Sequence, residues 1–144
     1  MLTPRMEIKL DKLADNARKL MTLYGSKGIR VTAVTKGVCG SPRVAGALFN
    51  GGIRSFGDSR ISNIQKMKES GLDAQFWLIR SPMSSEVERV VEFADVSLNT
   101  EIHVVRLLAD CAAKRNKIHR VILMIELGDM REGILPSDID SVVI

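Results

Sequence analysis

A primary amine at a strand end is the first chemistry this sequence offers. Lys36 closes the run Val31-Thr32-Ala33-Val34-Thr35 and is followed by Gly37-Val38-Cys39-Gly40. Apolar surface along its stem beside a flexible loop would partly desolvate the ammonium, lower its pKa and free the neutral amine that a Schiff base requires. The same local residues also fit an ordinary surface lysine just past a strand. A second polar stretch, Glu126-Leu127-Gly128-Asp129-Met130-Arg131-Glu132-Gly133, follows the most apolar run of the chain. Arg131 there presents a planar fork of donors to a carboxylate or phenolate oxygen, or else pairs within its own loop with Glu126, Asp129 or Glu132. Arg80, in Leu78-Ile79-Arg80-Ser81-Pro82, could face a ligand anion. Asp58, Asn99 and Thr100 suit helix caps before catalysis. Cys39 has no histidine near it in sequence and suits a small apolar filler better than a nucleophile.

These residues lie where short β-branched or aromatic runs give way to longer amphipathic stretches. An extended piece over 6–10 precedes a helix over 11–24, with Asp11 as its cap and Leu13, Ala17, Leu20 and Met21 on one face. A strand over 30–35 leads to a helix over 42–50, opened by Ser41-Pro42 and closed by Gly51-Gly52. Strand 53–57 is followed by helix 58–70, and strand 75–79 by a helix to Phe93 in which Ser85 and Glu88 have capping-box spacing. Val96 and Leu98 mark a short strand, Thr100 caps a helix to Arg115, and 119–126 is the most apolar strand, of the kind buried on both faces in a parallel sheet. A further helix opens near Pro136-Ser137 and runs into the last residues, through Ser141-Val142-Val143-Ile144. The fold class is α/β. Regular βα units without a Gly-x-Gly-x-x-Gly favour a (β/α)8 TIM-type barrel over a dinucleotide-binding sheet, although the pattern alone also permits a flavodoxin-like sheet.

Composition narrows the function. The chain has 144 residues, 45% hydrophobic and 26% charged, with a net charge of +4. This is globular composition with no internal domain boundary, so residues 1–144 are read as one unit. A closed barrel needs about 250 residues, so the five or so barrel strands here predict an incomplete N-terminal portion that exposes sheet edges. The excess of Lys and Arg is dispersed and aromatics make up only 4%, which argues against nucleic acid. Cys39, Cys111, His103 and His119 lack metal-ligand spacing, so no metal is expected. No apolar run approaches the roughly 18 residues of a membrane span, and the first residues lack a secretory signal, so a cytoplasmic location without membrane partners is expected.

Taken in order, several stretches carry a resemblance that covers nearly the whole chain. They are Ile8-Lys9-Leu10-Asp11-Lys12-Leu13 with Asn16, Ala33-Val34-Thr35-Lys36-Gly37-Val38-Cys39-Gly40, Gly57-Asp58-Ser59-Arg60, Leu78-Ile79-Arg80-Ser81-Pro82-Met83, Ser97-Leu98-Asn99, and Leu127-Gly128-Asp129-Met130-Arg131-Glu132-Gly133. Together they resemble the alanine/ornithine racemase family of pyridoxal 5'-phosphate (PLP) enzymes, most closely its ornithine-racemase-like branch. The resemblance implies a PLP-binding barrel followed by a β-rich domain that is absent here. By it, Lys36 matches the catalytic lysine that binds the cofactor and Arg131 the arginine beside the cofactor's phenolic oxygen and the substrate carboxylate; Arg80, from its place at a strand end, is expected to bind substrate as well. It implies racemisation of an amino acid, expected to be a basic one such as ornithine, in a homodimeric parent protein, with this portion itself inactive. A second acid/base is typically a tyrosine of the partner subunit's C-terminal domain, and Tyr24, the only tyrosine here, does not match it. Gly40 stands where alanine racemases carry the tyrosine that meets the cofactor phosphate. Two alternatives remain: a single-domain PLP carrier or regulator, and a non-catalytic α/β interaction module.

Overall fold

The computed structural model describes residues 6–142. Helix α1 (Leu10–Gly25) is followed by five βα-type repeats: strand β1 (Ala33–Val34), helix α2 (Pro42–Asn50), β2 (Ser55–Asp58), α3 (Ile61–Glu69), β3 (Gln75–Leu78), α4 (Val87–Phe93), β4 (Val96–Asn99), α5 (Ile102–Lys114), β5 (Arg120–Leu123) and the short α6 (Ile139–Val142). All strands are parallel and their spatial order is β1-β2-β3-β4-β5. Strict sequential order decides the fold question left open above. A flavodoxin-like or dinucleotide-binding sheet reverses direction at a switch point, whereas each barrel strand adds beside its predecessor. The chain is an incomplete barrel.

Register explains the core. Phe56 pairs with Phe76 and Asp58 with Leu78, so these side chains share one face of the sheet, while Gly57 and Trp77 share the other. The first face meets the helices. Phe56 and Phe76 stack at 6.1 Å and pack with Ile61, Ile64 and Met67 of α3, Val87, Val90 and Val91 of α4, and Val104 and Leu108 of α5. Each of the largest of these side chains contributes about 1.5–3 kcal/mol by leaving water. Helix α2 ends in a Schellman arrangement: Gly52 (φ 102°) donates to the Phe49 carbonyl at 2.9 Å and Ile53 to that of Leu48 at 3.1 Å, as Gly51-Gly52 predicted. Gly51 has an ordinary φ of −80° but lies against α1, since a Cβ there would sit 2.5 Å from the Ala14 carbonyl oxygen and from Ala17 Cβ.

Several boundaries differ from the sequence reading. Residues 6–9 form no strand, and α1 is preceded by Lys9 at the cap position, with Asp11 inside its first turn. Ser41 occupies the cap position before Pro42 but makes no side-chain cap bond. The cap before α4 is shifted two residues: the Glu86 carboxylate accepts the Met83 N–H at 3.3 Å, not Glu88 that of Ser85. At α5 the cap position falls on Glu101, and the Thr100 hydroxyl instead bonds the Ser81 hydroxyl at 3.0 Å. The largest correction is β5. Its apolar composition suits burial on both faces, yet Val121 is 43% and Ile122 40% exposed, and among the described residues β5 is an edge strand paired with β4 alone. A helix does open at Pro136, through a 3-10 turn (Pro136–Asp138) into α6, while Val143 and Ile144 lie outside the described residues. Among the described residues no helix is long and apolar enough to cross a membrane.

Candidate functional site

The carboxyl ends of the five strands lie at one edge of the sheet, where barrel folds place their chemistry because loops there vary on a rigid support. Lys36 emerges from β1 on a 3-10 turn (Lys36–Val38) and is exposed. The expected burial of its stem is not found: the turn carries it out beyond the helix-packed layer. Among the described residues its amine has no hydrogen-bond or ion-pair partner. Cys39 is likewise exposed, at φ 52°, and is no core filler.

Thr35, one residue earlier, turns the other way and is 1% exposed. Its hydroxyl donates to Asp58 Oδ2 at 2.8 Å and lies 3.4 Å from the Gly57 carbonyl. Asp58 is wholly buried at the end of β2, where Oδ1 also accepts the Asn63 side-chain amide and the Arg60 backbone N–H, both at 3.0 Å. The cap reading of Asp58 therefore describes one of its three bonds, and the formal cap position belongs to Arg60. Gly40, with φ 60°, closes the turn directly against α3: a Cβ there would lie 2.5 Å from Asn63 Cβ and 2.8 Å from its carbonyl oxygen. No side chain fits at position 40, which is the structural counterpart of the missing tyrosine.

On the β3–β5 side, Arg80 and Arg131 line a single cavity of about 500 Å³ together with Ser81, Thr100, Glu101 and Glu132. The structure thus brings the two arginines together, while Lys36 stands outside that cavity, at the β1 end of the same edge. Arg131 forms no ion pair with another described residue, so its pairing within the loop is not observed. Glu126 has a different task. Its carboxylate accepts the N–H of Gly128 and, at 3.1 Å, that of Met130, clasping the loop into shape. Those backbone donors, Met130 first and Gly128 second, hold its pKa below the ordinary carboxylate value. The loop closes where Gly133, at φ 140°, runs so near the Glu126 backbone that a Cβ would meet it.

A buried polar chain supports β4 on the helix side. Asn99 Nδ2 donates to the Ser97 carbonyl (2.9 Å) and to its hydroxyl oxygen (3.0 Å), and that hydroxyl bonds His119 Nε2 at 2.8 Å. His119 Nδ1 lies 3.2 Å from the Ala94 carbonyl, which selects Nδ1–H and leaves Nε2 to accept from Ser97. Desolvation pushes the His119 pKa down, against the opposing pull of the Ala94 carbonyl and Asp95. Sequence reading offered Asn99 as a helix cap, whereas its amide bonds Ser97, and it did not single out Thr35, Asn63, Glu101 or the Ser97–His119 link. Only Thr35, adjacent to Lys36, carried a local hint.

The parallel barrel edge thus carries an unpartnered lysine at one strand end and two arginines around a cavity at others. The chain belongs to the alanine racemase N-terminal domain family, which it matches over residues 8–144. It is 37% identical over 135 residues to ornithine racemase of Acetoanaerobium sticklandii, a match covering 94% of this chain and 38% of that protein. It is 35% identical over 134 residues to lysine racemase of Thermotoga maritima, covering 93% of this chain and 38% of that protein. Alanine racemase from E. faecalis shares its fold with a TM-score of 0.79 at 17% identity, over 94% of this chain and 38% of that one. The named sequence relatives are amino acid racemases, and the chain spans about 38% of their length.

Proposed function

We propose that this chain is the N-terminal barrel portion of a PLP-dependent amino acid racemase acting on a basic amino acid, with Lys36 as the cofactor-binding lysine and base. The observation that carries this reading is the unpartnered Lys36 amine at the carboxyl end of β1, on the edge that also bears Arg80 and Arg131. These residues fit the cofactor chemically. A free amine matches its aldehyde, and an unpaired guanidinium matches its phenolic oxygen or a substrate carboxylate. When bound, PLP supplies the electron sink that makes the substrate Cα proton acidic.

The rest is the work of this chain. Lys36 would hold the cofactor through its amine and, when free, would accept a proton at Nζ from one face of the substrate Cα. Arg131 orients the substrate carboxylate, and Arg80 adds a second positive charge across the same cavity. Glu101 and Glu132 line that cavity too, so it offers guanidinium and carboxylate groups to one ligand. That pattern suits an amino acid with a distal ammonium, in keeping with the named ornithine and lysine racemases. The base on the opposite face and the β-rich domain belong to further chain or to the partner subunit. The whole protein is read as a cytoplasmic homodimer.

The test is PLP titration of the chain and of Lys36→Ala, followed by borohydride fixation and peptide mapping. A visible absorbance band and a fixed adduct at residue 36, both absent from the variant, are expected. Identical spectra for the two proteins would end the assignment, and a longer chain of this sequence that fails to invert ornithine or lysine would end the substrate reading.

A further inference from the structure

We propose that Thr35 and Asp58 form a latch that positions Lys36. The inference rests on the reading of Lys36 given above and adds two positioning residues to it. The turn carrying Lys36 is held at both ends by one buried cluster. At its entry, the Thr35 hydroxyl bonds Asp58 Oδ2 at 2.8 Å, and the Thr35 N–H bonds the Gly57 carbonyl at 2.9 Å. At its exit, the Gly40 backbone abuts Asn63, whose side-chain amide bonds Asp58 Oδ1 at 3.0 Å. Between the two ends, the Thr35 carbonyl accepts the N–H of Val38 at 3.0 Å and of Gly40 at 3.3 Å.

The Arg60 N–H and the Asn63 amide share Asp58 Oδ1, and the second carboxylate oxygen, Oδ2, is left to accept the Thr35 hydroxyl. Burying that carboxylate completely is unfavourable unless its bonds are satisfied, and here three donors satisfy it. Two of them, Arg60 N–H and Asn63, would suffice to start α3. The third reaches across from β1 and fixes the residue immediately before Lys36. Thr35 on the helix side and Lys36 on the exposed side therefore cannot rotate independently. Holding the hydroxyl on Asp58 fixes the direction in which the lysine leaves the strand, which is the geometric control that bond formation at Nζ needs.

The experiment compares the chain with Thr35→Val, which keeps the shape and removes the hydroxyl, and with Thr35→Ser, which restores it. PLP affinity is read from the visible band, and amide hydrogen exchange is read at Val38 and Gly40, with thermal melting confirming that each variant is folded at the assay temperature. Loss of a hydrogen bond to a charged acceptor corresponds to about tenfold or more in an equilibrium constant. Thr35→Val is expected to weaken PLP binding by about that factor and to speed exchange at both amides, while Thr35→Ser returns both to within about threefold of the parent. A folded Thr35→Val with parental affinity and exchange overturns the latch, and so does a Thr35→Ser that behaves like the valine variant. If Thr35→Val does not fold, Thr35→Ala replaces it, expected to give the same two changes by removing the hydroxyl, and parental behaviour there overturns the latch equally. Absence of any PLP band in the parent chain sinks the functional reading alone, because exchange at Val38 and Gly40 still decides whether the latch holds the turn.

Discussion

Gly40→Ala is the substitution whose effect can best be worked out from the structure. Two independent penalties meet at this position. The backbone sits at φ 60°, in the left-handed region, where a residue with a Cβ is disfavoured by roughly 1–2 kcal/mol. The new Cβ would lie 2.5 Å from Asn63 Cβ and 2.8–2.9 Å from Asn63 backbone atoms, about 1 Å inside normal carbon contact, and overpacking of this kind costs about 1–3 kcal/mol. The sum is about 2–5 kcal/mol, a large share of the 5–15 kcal/mol typical of a domain. Gly37, three residues away on the same turn, is the internal control: a Cβ there meets nothing within 4 Å. Gly37→Ala should change stability by no more than about 1 kcal/mol in either direction. Urea unfolding followed by circular dichroism gives both numbers, and the midpoint of Gly40→Ala should fall by about 1 M or more relative to Gly37→Ala. Equal midpoints would refute the argument from Asn63 contact and left-handed strain together. Gly40→Tyr carries the same two penalties, so it should destabilise this chain at least as much.

Three further outcomes are expected. Gly51→Ala has no backbone strain at φ −80°, but its Cβ would press on Ala14 and Ala17, so it should cost about 1–3 kcal/mol in the same urea assay and loosen α1 in hydrogen exchange. His119 has its pKa lowered in the folded chain, chiefly by desolvation, so its contribution is fully present above the unfolded value of about 6.5 and is lost as pH falls through the folded value. The melting temperature should accordingly drop on acidification from about pH 7.5 to about 5, and His119→Gln should flatten that slope. Glu126 is lowered as well, by the Met130 and Gly128 amides, so protection of those two amides should persist at neutral pH, fade only below the ordinary carboxylate range of about 4.3, and be weaker at every pH in Glu126→Gln.

What could be read from the sequence was what depends on near neighbours in the chain. The alternation of Val- and Phe-rich runs with amphipathic stretches located all five strands, and Gly51-Gly52 announced its Schellman end, because those signals are carried by residues a few positions apart. Caps were less secure. Thr100 and the Ser85–Glu88 pair were plausible partners for helix amides, but Ser81 and Met83 won the contest through geometry that local sequence does not encode. The β5 reading shows the converse case. Val121-Ile122 has the composition of a doubly covered strand, and composition reports what a strand needs, not what lies beside it. In the described residues both side chains are about 40% exposed, so apolar cover must come from elsewhere for the strand to be buried as its sequence suits.

The same distinction bears on the site. Lys36 was visible because a lysine after a β-branched run is a local pattern, whereas the group proposed to aim it, Asp58, lies 22 residues later and reaches Thr35 only through the β1–β2 register of Val34 with Gly57. Shifting that register by one residue would turn Thr35 to the open face and bring Lys36 against α3, leaving Asp58 with only the two donors near its own helix. The pairing that sets half-buried Ala33 beside buried Phe56 therefore also decides that the lysine is free and the threonine held. Packing and chemistry at this edge are consequences of one register, and a variant that preserves the core but changes the Thr35–Asp58 bond is the way to separate them.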